Sequence, residues 1–66
     1  MLITLNGQVK AIREKTTLND MIMKACHDSN HVIAELNGSI VKKYEWEKTL
    51  LKNKDILELV NFVGGG

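Results

Sequence analysis

Two Asn-Gly dipeptides, Asn6-Gly7 and Asn37-Gly38, restrict the fold of this chain more than any other feature. Asparagine and glycine tolerate the positive φ angles of a type I′ turn, whose twist matches that of two paired strands. The first dipeptide joins "LITL" to "QVKAI", and the second joins "VIAEL" to "SIVKK". All four flanks contain β-branched or aliphatic residues, so the sequence predicts two β-hairpins.

Between the hairpins lies "TTLNDMIMKACHDSN". Leu18, Met21, Ile22, Ala25 and Cys26 recur at the spacing of one helical face. Thr17 is placed to cap the first turn, with Asp20 three residues later to complete a capping box. Ser29-Asn30 offers a stop. The expected helix has about 11 residues and a length of roughly 16 Å, enough to cross a small sheet once. After the second hairpin, "YEWEKTLL" reads as a short helical turn that holds Tyr44 or Trp46 against the core. "NKD" is a turn, and "ILELVNFV" is a final strand.

The order is therefore hairpin, helix, hairpin, strand. One helix over one mixed sheet is the α+β solution for a small core. The apolar last strand suits a central position, beside and parallel to the first strand, with the helix inside the crossover. This is the β-grasp, or ubiquitin-like, fold: four to five strands with one main helix across one face. Residues 1–63 form the expected domain and residues 64–66 a flexible glycine tail.

Size and charge narrow the function classes. A chain of 66 residues holds one domain. It buries only about 60% of its unfolded surface, which leaves no room to enclose a substrate. Nine basic and eight acidic side chains nearly cancel, so neither nucleic acid nor an anionic membrane is the expected partner. A single cysteine rules out an internal disulfide and fits the cytoplasm. The N-terminal stretch resembles neither a signal peptide nor a membrane span.

Few side chains suggest chemistry. Cys26 and His27 are adjacent, but neighbours on a helix point about 100° apart and do not meet. Cys26 also falls on the apolar stripe, where a thiol behaves as a small hydrophobe. His27 and His31 are four apart, yet no second cluster supplies further metal ligands, so no metal site is expected. The lysines from Lys42 to Lys54 read as a solvated face, and Trp46 as a core plug. With no nucleophile, base and orienting group to assemble, the chain is not expected to be an enzyme.

The ending "NFVGGG" differs. Three glycines have no side chains, so their backbone can thread a narrow channel and bring a carboxylate close to a reacting centre. A carboxylate becomes a usable acyl donor once its oxygen is converted into a leaving group such as AMP.

The residues "IAELNGSIV…W…DILELVNFVGGG" resemble the ThiS family, the ubiquitin-like sulfur carriers of thiamine thiazole synthesis. The resemblance covers the whole chain and is sharpest at Asn37, Ile40-Val41, Trp46, Asp55 and Val63 to Gly66. Many relatives have Pro-Arg where this chain has Lys42-Lys43, and glycine where it has Lys54. The resemblance implies that a ThiF-like, ATP-dependent adenylyltransferase activates the carboxylate of Gly66. Sulfur from a cysteine-desulfurase system then replaces AMP, leaving a thiocarboxylate that serves thiazole synthase. Gly64 and Gly65 supply reach. The protein would be a co-substrate, monomeric when alone, without a catalytic residue or a bound cofactor of its own.

Docking needs a surface as well. Strand parity groups Glu58, Val60 and Phe62 on one face of the last strand, against Leu57 and Leu59 on the other. Glu58 marks its face as outward, so Val60 and Phe62 are docking candidates beside the tail. The alternatives are a sulfur carrier for molybdopterin or another metabolite, protein conjugation through the tail, and a ubiquitin-like binding module without sulfur chemistry.

Overall fold

A computed structural model of the chain describes residues 1–26 and 28–62. His27 and residues 63–66, including the expected tail of Gly64, Gly65 and Gly66, lie outside the described residues. The elements are β1 (Leu2–Leu5), β2 (Gln8–Ala11), α1 (Leu18–Ala25), β3 (Val32–Leu36), β4 (Ser39–Val41) and β5 (Ile56–Asn61). Two 3₁₀ turns, Ser29–His31 and Lys43–Lys48, complete the connections.

Both Asn-Gly turns form as the sequence predicts. Asn6 and Gly7 take φ of 47° and 82°, and Asn37 and Gly38 take 51° and 87°. The left-handed conformation at both central positions is what a type I′ turn requires. It fixes Leu5 opposite Gln8 and Leu36 opposite Ser39. Each asparagine also serves β5. The Asn6 Oδ1 accepts the amide of Leu59 at 2.9 Å, and the Asn37 Oδ1 accepts that of Ile56 at 2.8 Å.

The five strands lie in the order β2-β1-β5-β3-β4. β5 is central, parallel to β1 and antiparallel to β3, as the β-grasp reading requires. The outcome differs from expectation at its C-terminal end, where the strand stops at Asn61. Only one of its faces is covered: Leu57 is fully buried, whereas Ile56 on the other face is 54% exposed. The apolar run thus identified the position of β5 in the sheet, and Glu58 identified the side left open.

α1 begins with the capping box read from the sequence. The Thr17 hydroxyl accepts the Asp20 amide, and the Asp20 carboxylate accepts the Thr17 amide, both at 3.0 Å. The Leu18 amide donates to the Thr49 carbonyl and the Leu51 amide to the Thr16 carbonyl, tying the helix start to the segment before β5. The helix is shorter than expected, with 8 residues. Cys26 is already extended, and the Asp28 carboxylate accepts the Asn30 amide at 2.9 Å. That local bond offers the backbone an alternative to continued helix and turns it towards β3. Leu18, Met21 and Ile22 are buried as the stripe predicts, Cys26 is half-buried, and Ala25 is exposed.

The core consists of Ile3, Leu18, Met21, Ile22, Val32, Ala34, Trp46, Leu51 and Leu57. Burying a side chain the size of Leu18 or Ile22 contributes about 1.5–3 kcal/mol. Trp46, not Tyr44, is the aromatic plug, and its indole N–H donates to the Val41 carbonyl at 2.9 Å.

Candidate functional site

The register divides the sheet into two faces. Ile3, Leu57, Ala34 and Val32 point towards α1. The opposite face presents Leu2, Ile56, Glu58, Val60, Ile33 and Ile40, each of them exposed. No helix among the described elements covers it. Sequence parity placed Glu58, Val60 and Phe62 here. It left out Ile33, Ile40 and Ile56, which could have been found by extending the register outward from the two Asn-Gly turns.

Val60 is 53% exposed and sits directly opposite Ile33. Phe62 follows the end of β5 and is 42% exposed. It is both outward and held. Its amide donates to the His31 carbonyl at 2.9 Å, and its ring meets the His31 imidazole edge-on, with centroids 5.6 Å apart. The His31 Nδ1 in turn lies 2.7 Å from the Asp28 carboxylate, within hydrogen-bond distance. The Asn30 amide, and after it the His31 side chain, hold the Asp28 carboxyl below its ordinary pKa. The Lys43 ammonium donates to the Asn30 side chain at 2.5 Å and closes this cluster. One backbone hydrogen bond and one ring contact thus hold Phe62 against His31, one residue past the end of β5.

The start of β5 is fastened by a second cluster. Asp55 is 8% exposed and uses both carboxylate oxygens: Oδ1 accepts from the Asn37 amide group at 3.0 Å and Oδ2 from the Lys52 amide at 2.7 Å. Its carbonyl accepts the Thr4 amide at 2.9 Å. The sequence reading of Asn53-Lys54-Asp55 as a turn is correct, but this turn also joins β1, β5 and the second hairpin.

The remaining features lie elsewhere. An open groove of about 450 Å³ runs between the end of β2 and α1, lined in part by Ile12, Arg13, Asp20 and Lys24, and away from Val60 and Phe62. Among the described residues, no three His, Cys, Asp or Glu side chains gather to hold a metal. No described helix is long and apolar enough to cross a membrane. The lysines at 42, 43, 48, 52 and 54 are exposed.

A five-stranded sheet crossed by one helix, with the opposite face open and largely apolar, defines a small β-grasp protein. A crystal structure of the thiamine biosynthesis protein ThiS from Geobacter metallireducens has the same fold: the TM-score is 0.83 at 27% identity, over all of both chains. Residues 3–66 match the ThiS family, and the chain belongs to that family. It is 33% identical to the sulfur carrier protein ThiS of Bacillus subtilis (strain 168) over 66 residues, covering 98% of this chain and 100% of that protein. It is also 32% identical, over its full length, to a stretch of a thiazole synthase from Magnetococcus marinus, and spans 20% of that longer protein.

Proposed function

We propose that the protein carries sulfur for thiazole formation in thiamine biosynthesis. The observation that carries this reading is the match, end to end, to a sulfur carrier protein of the same family. The carboxylate of Gly66 attacks the α-phosphorus of ATP in the active site of an adenylyltransferase, releasing pyrophosphate. A persulfide originating from a cysteine desulfurase then displaces AMP to give an acyl disulfide, and a partner thiol attacks its outer sulfur, forming a disulfide and releasing the C-terminal thiocarboxylate. This group is a nucleophile on a stable acyl carbon, and glycine gives it no steric obstruction.

Thiazole synthase is the proposed acceptor of the sulfur. The Magnetococcus marinus protein supports this, since a stretch similar to this whole chain occurs within a thiazole synthase. Val60 and Phe62 lie at the base of the tail and are proposed to help dock the enzymes that Gly64 and Gly65 allow Gly66 to enter. ATP is consumed by the partner, and the carrier itself supplies no catalytic group.

Deletion of the carrier from its host is expected to create a requirement for thiamine or its thiazole moiety. The full chain should relieve it, and a chain lacking Gly66 should not, although circular dichroism should find the shortened chain folded. Growth supported by the shortened chain would refute the reading.

A further inference from the structure

Glu35 and Glu58 stand directly opposite each other on β3 and β5, in the middle of the uncovered sheet face. Opposed residues of an antiparallel pair have Cβ atoms about 4.5–5.5 Å apart, where like charges repel. Neither carboxylate is paired with a cation among the described residues. Among the strand-paired residues the face has none: the register gives it Leu2, Thr4, Val9, Ala11, Ile33, Ile40, Ile56 and Val60 besides the two acids. Yet the chain as a whole carries a net charge of +1. Lys10, the strand-paired lysine, lies on the other face beside Ile3, and an unpaired acidic couple sits among apolar strand residues.

We infer that this face docks a partner protein whose own surface is apolar around one arginine or lysine side chain, which inserts between Glu35 and Glu58. An arginine fits the couple especially well, because its planar fork can donate to two carboxylates at once. Surrounding Ile33, Ile40, Ile56 and Val60 would exclude water and strengthen the charged contact. A second copy of this chain does not fit. Stacking the face on itself about a two-fold axis would gather four carboxylates with no cation between them. The couple thus attracts a partner bearing the cation and discourages self-association, the two halves of specificity.

This inference rests on the sulfur-carrier reading for the choice of probes, which are the full-length thiazole synthase and adenylyltransferase of the same organism. Calorimetric titration would compare the unmodified chain, the E35Q/E58Q variant, and an E14Q/E47Q control. The control has the same net charge but alters residues outside the strands of the sheet. For at least one enzyme, E35Q/E58Q should bind about tenfold or more weakly and lose part of its salt dependence, as removal of a desolvated charge pair requires. The control should bind as the unmodified chain does. The melting temperature of E35Q/E58Q should equal or exceed that of the unmodified chain, since a repulsion has been removed.

Equal binding of E35Q/E58Q to both enzymes would overturn the inference and leave sulfur carriage intact. So would a lowered melting temperature, which would give the couple a structural role. Failure of the unmodified chain to bind either enzyme would overturn the docking inference. Sulfur loading of Gly66, measured separately, would show whether the carrier reading had failed with it.

Discussion

Asp55 shows how much one side chain can hold in a protein of this size. Its two oxygens accept from Asn37 and Lys52, so one carboxylate binds the second hairpin and the loop before β5. Asp55→Ala leaves the Asn37 amide group and the Lys52 amide without these acceptors. The expected loss is about 2–3 kcal/mol of unfolding free energy, measured by urea denaturation. A loss well under 1 kcal/mol would mean that water replaces the carboxylate. Lys54, one residue earlier, has φ of 75°, a conformation that disfavours a side chain. Its amide bond to the Leu2 carbonyl survives substitution by glycine. Lys54→Gly is therefore expected to stabilise the protein by roughly 0.5–1 kcal/mol, the left-handed penalty less glycine's entropic cost. Unchanged or lower stability in the same assay would contradict this. The glycine preferred by similar sequences at this turn was legible beforehand; the buried role of Asp55 was not, because it depends on a hairpin 18 positions away.

At the level of elements, the order and pairing of strands were legible, and the points where elements end were less so. The Asn-Gly turns fixed two hairpins and their registers because a two-residue turn leaves its strands little choice. The capping box fixed the start of α1 for the same reason. Thr17→Ala should cost about 1 kcal/mol and lower the melting temperature; no change would mean that the Leu18 bond to Thr49 alone secures the helix start. The end of α1 could not be read so well. The apolar stripe continues to Cys26, but the chain must turn back into β3, and the Asp28 side chain competes for the backbone. For β5, apolar content revealed its central place, and Glu58 revealed its open side. Glu58 marked Val60 as outward in sequence, and Ile56 shares that open face, because a single helix covers only one face of the sheet.

Across the whole molecule, the central strand is the most firmly held element. β5 is braced at its start by Asp55 and Asn37, along its length by Asn6, and at Phe62 by His31. The expected tail, Gly64 to Gly66, was legible only as sequence and lies beyond the described residues, so its chemistry rests on the family and on reactivity. The exposure of Val60 and Phe62 was legible by parity. The acidic couple was missed because Glu35 and Glu58 are far apart in sequence and meet only through the β3–β5 register. The most direct measurement of sulfur carriage is the intact mass of the chain after incubation with its adenylyltransferase, ATP and a cysteine-desulfurase sulfur source. The expected result is a gain equal to exchange of one oxygen for sulfur, localised to Gly66 by fragmentation and absent without ATP. An unchanged mass alongside a stable complex with the active enzyme would contradict sulfur carriage and leave a binding module.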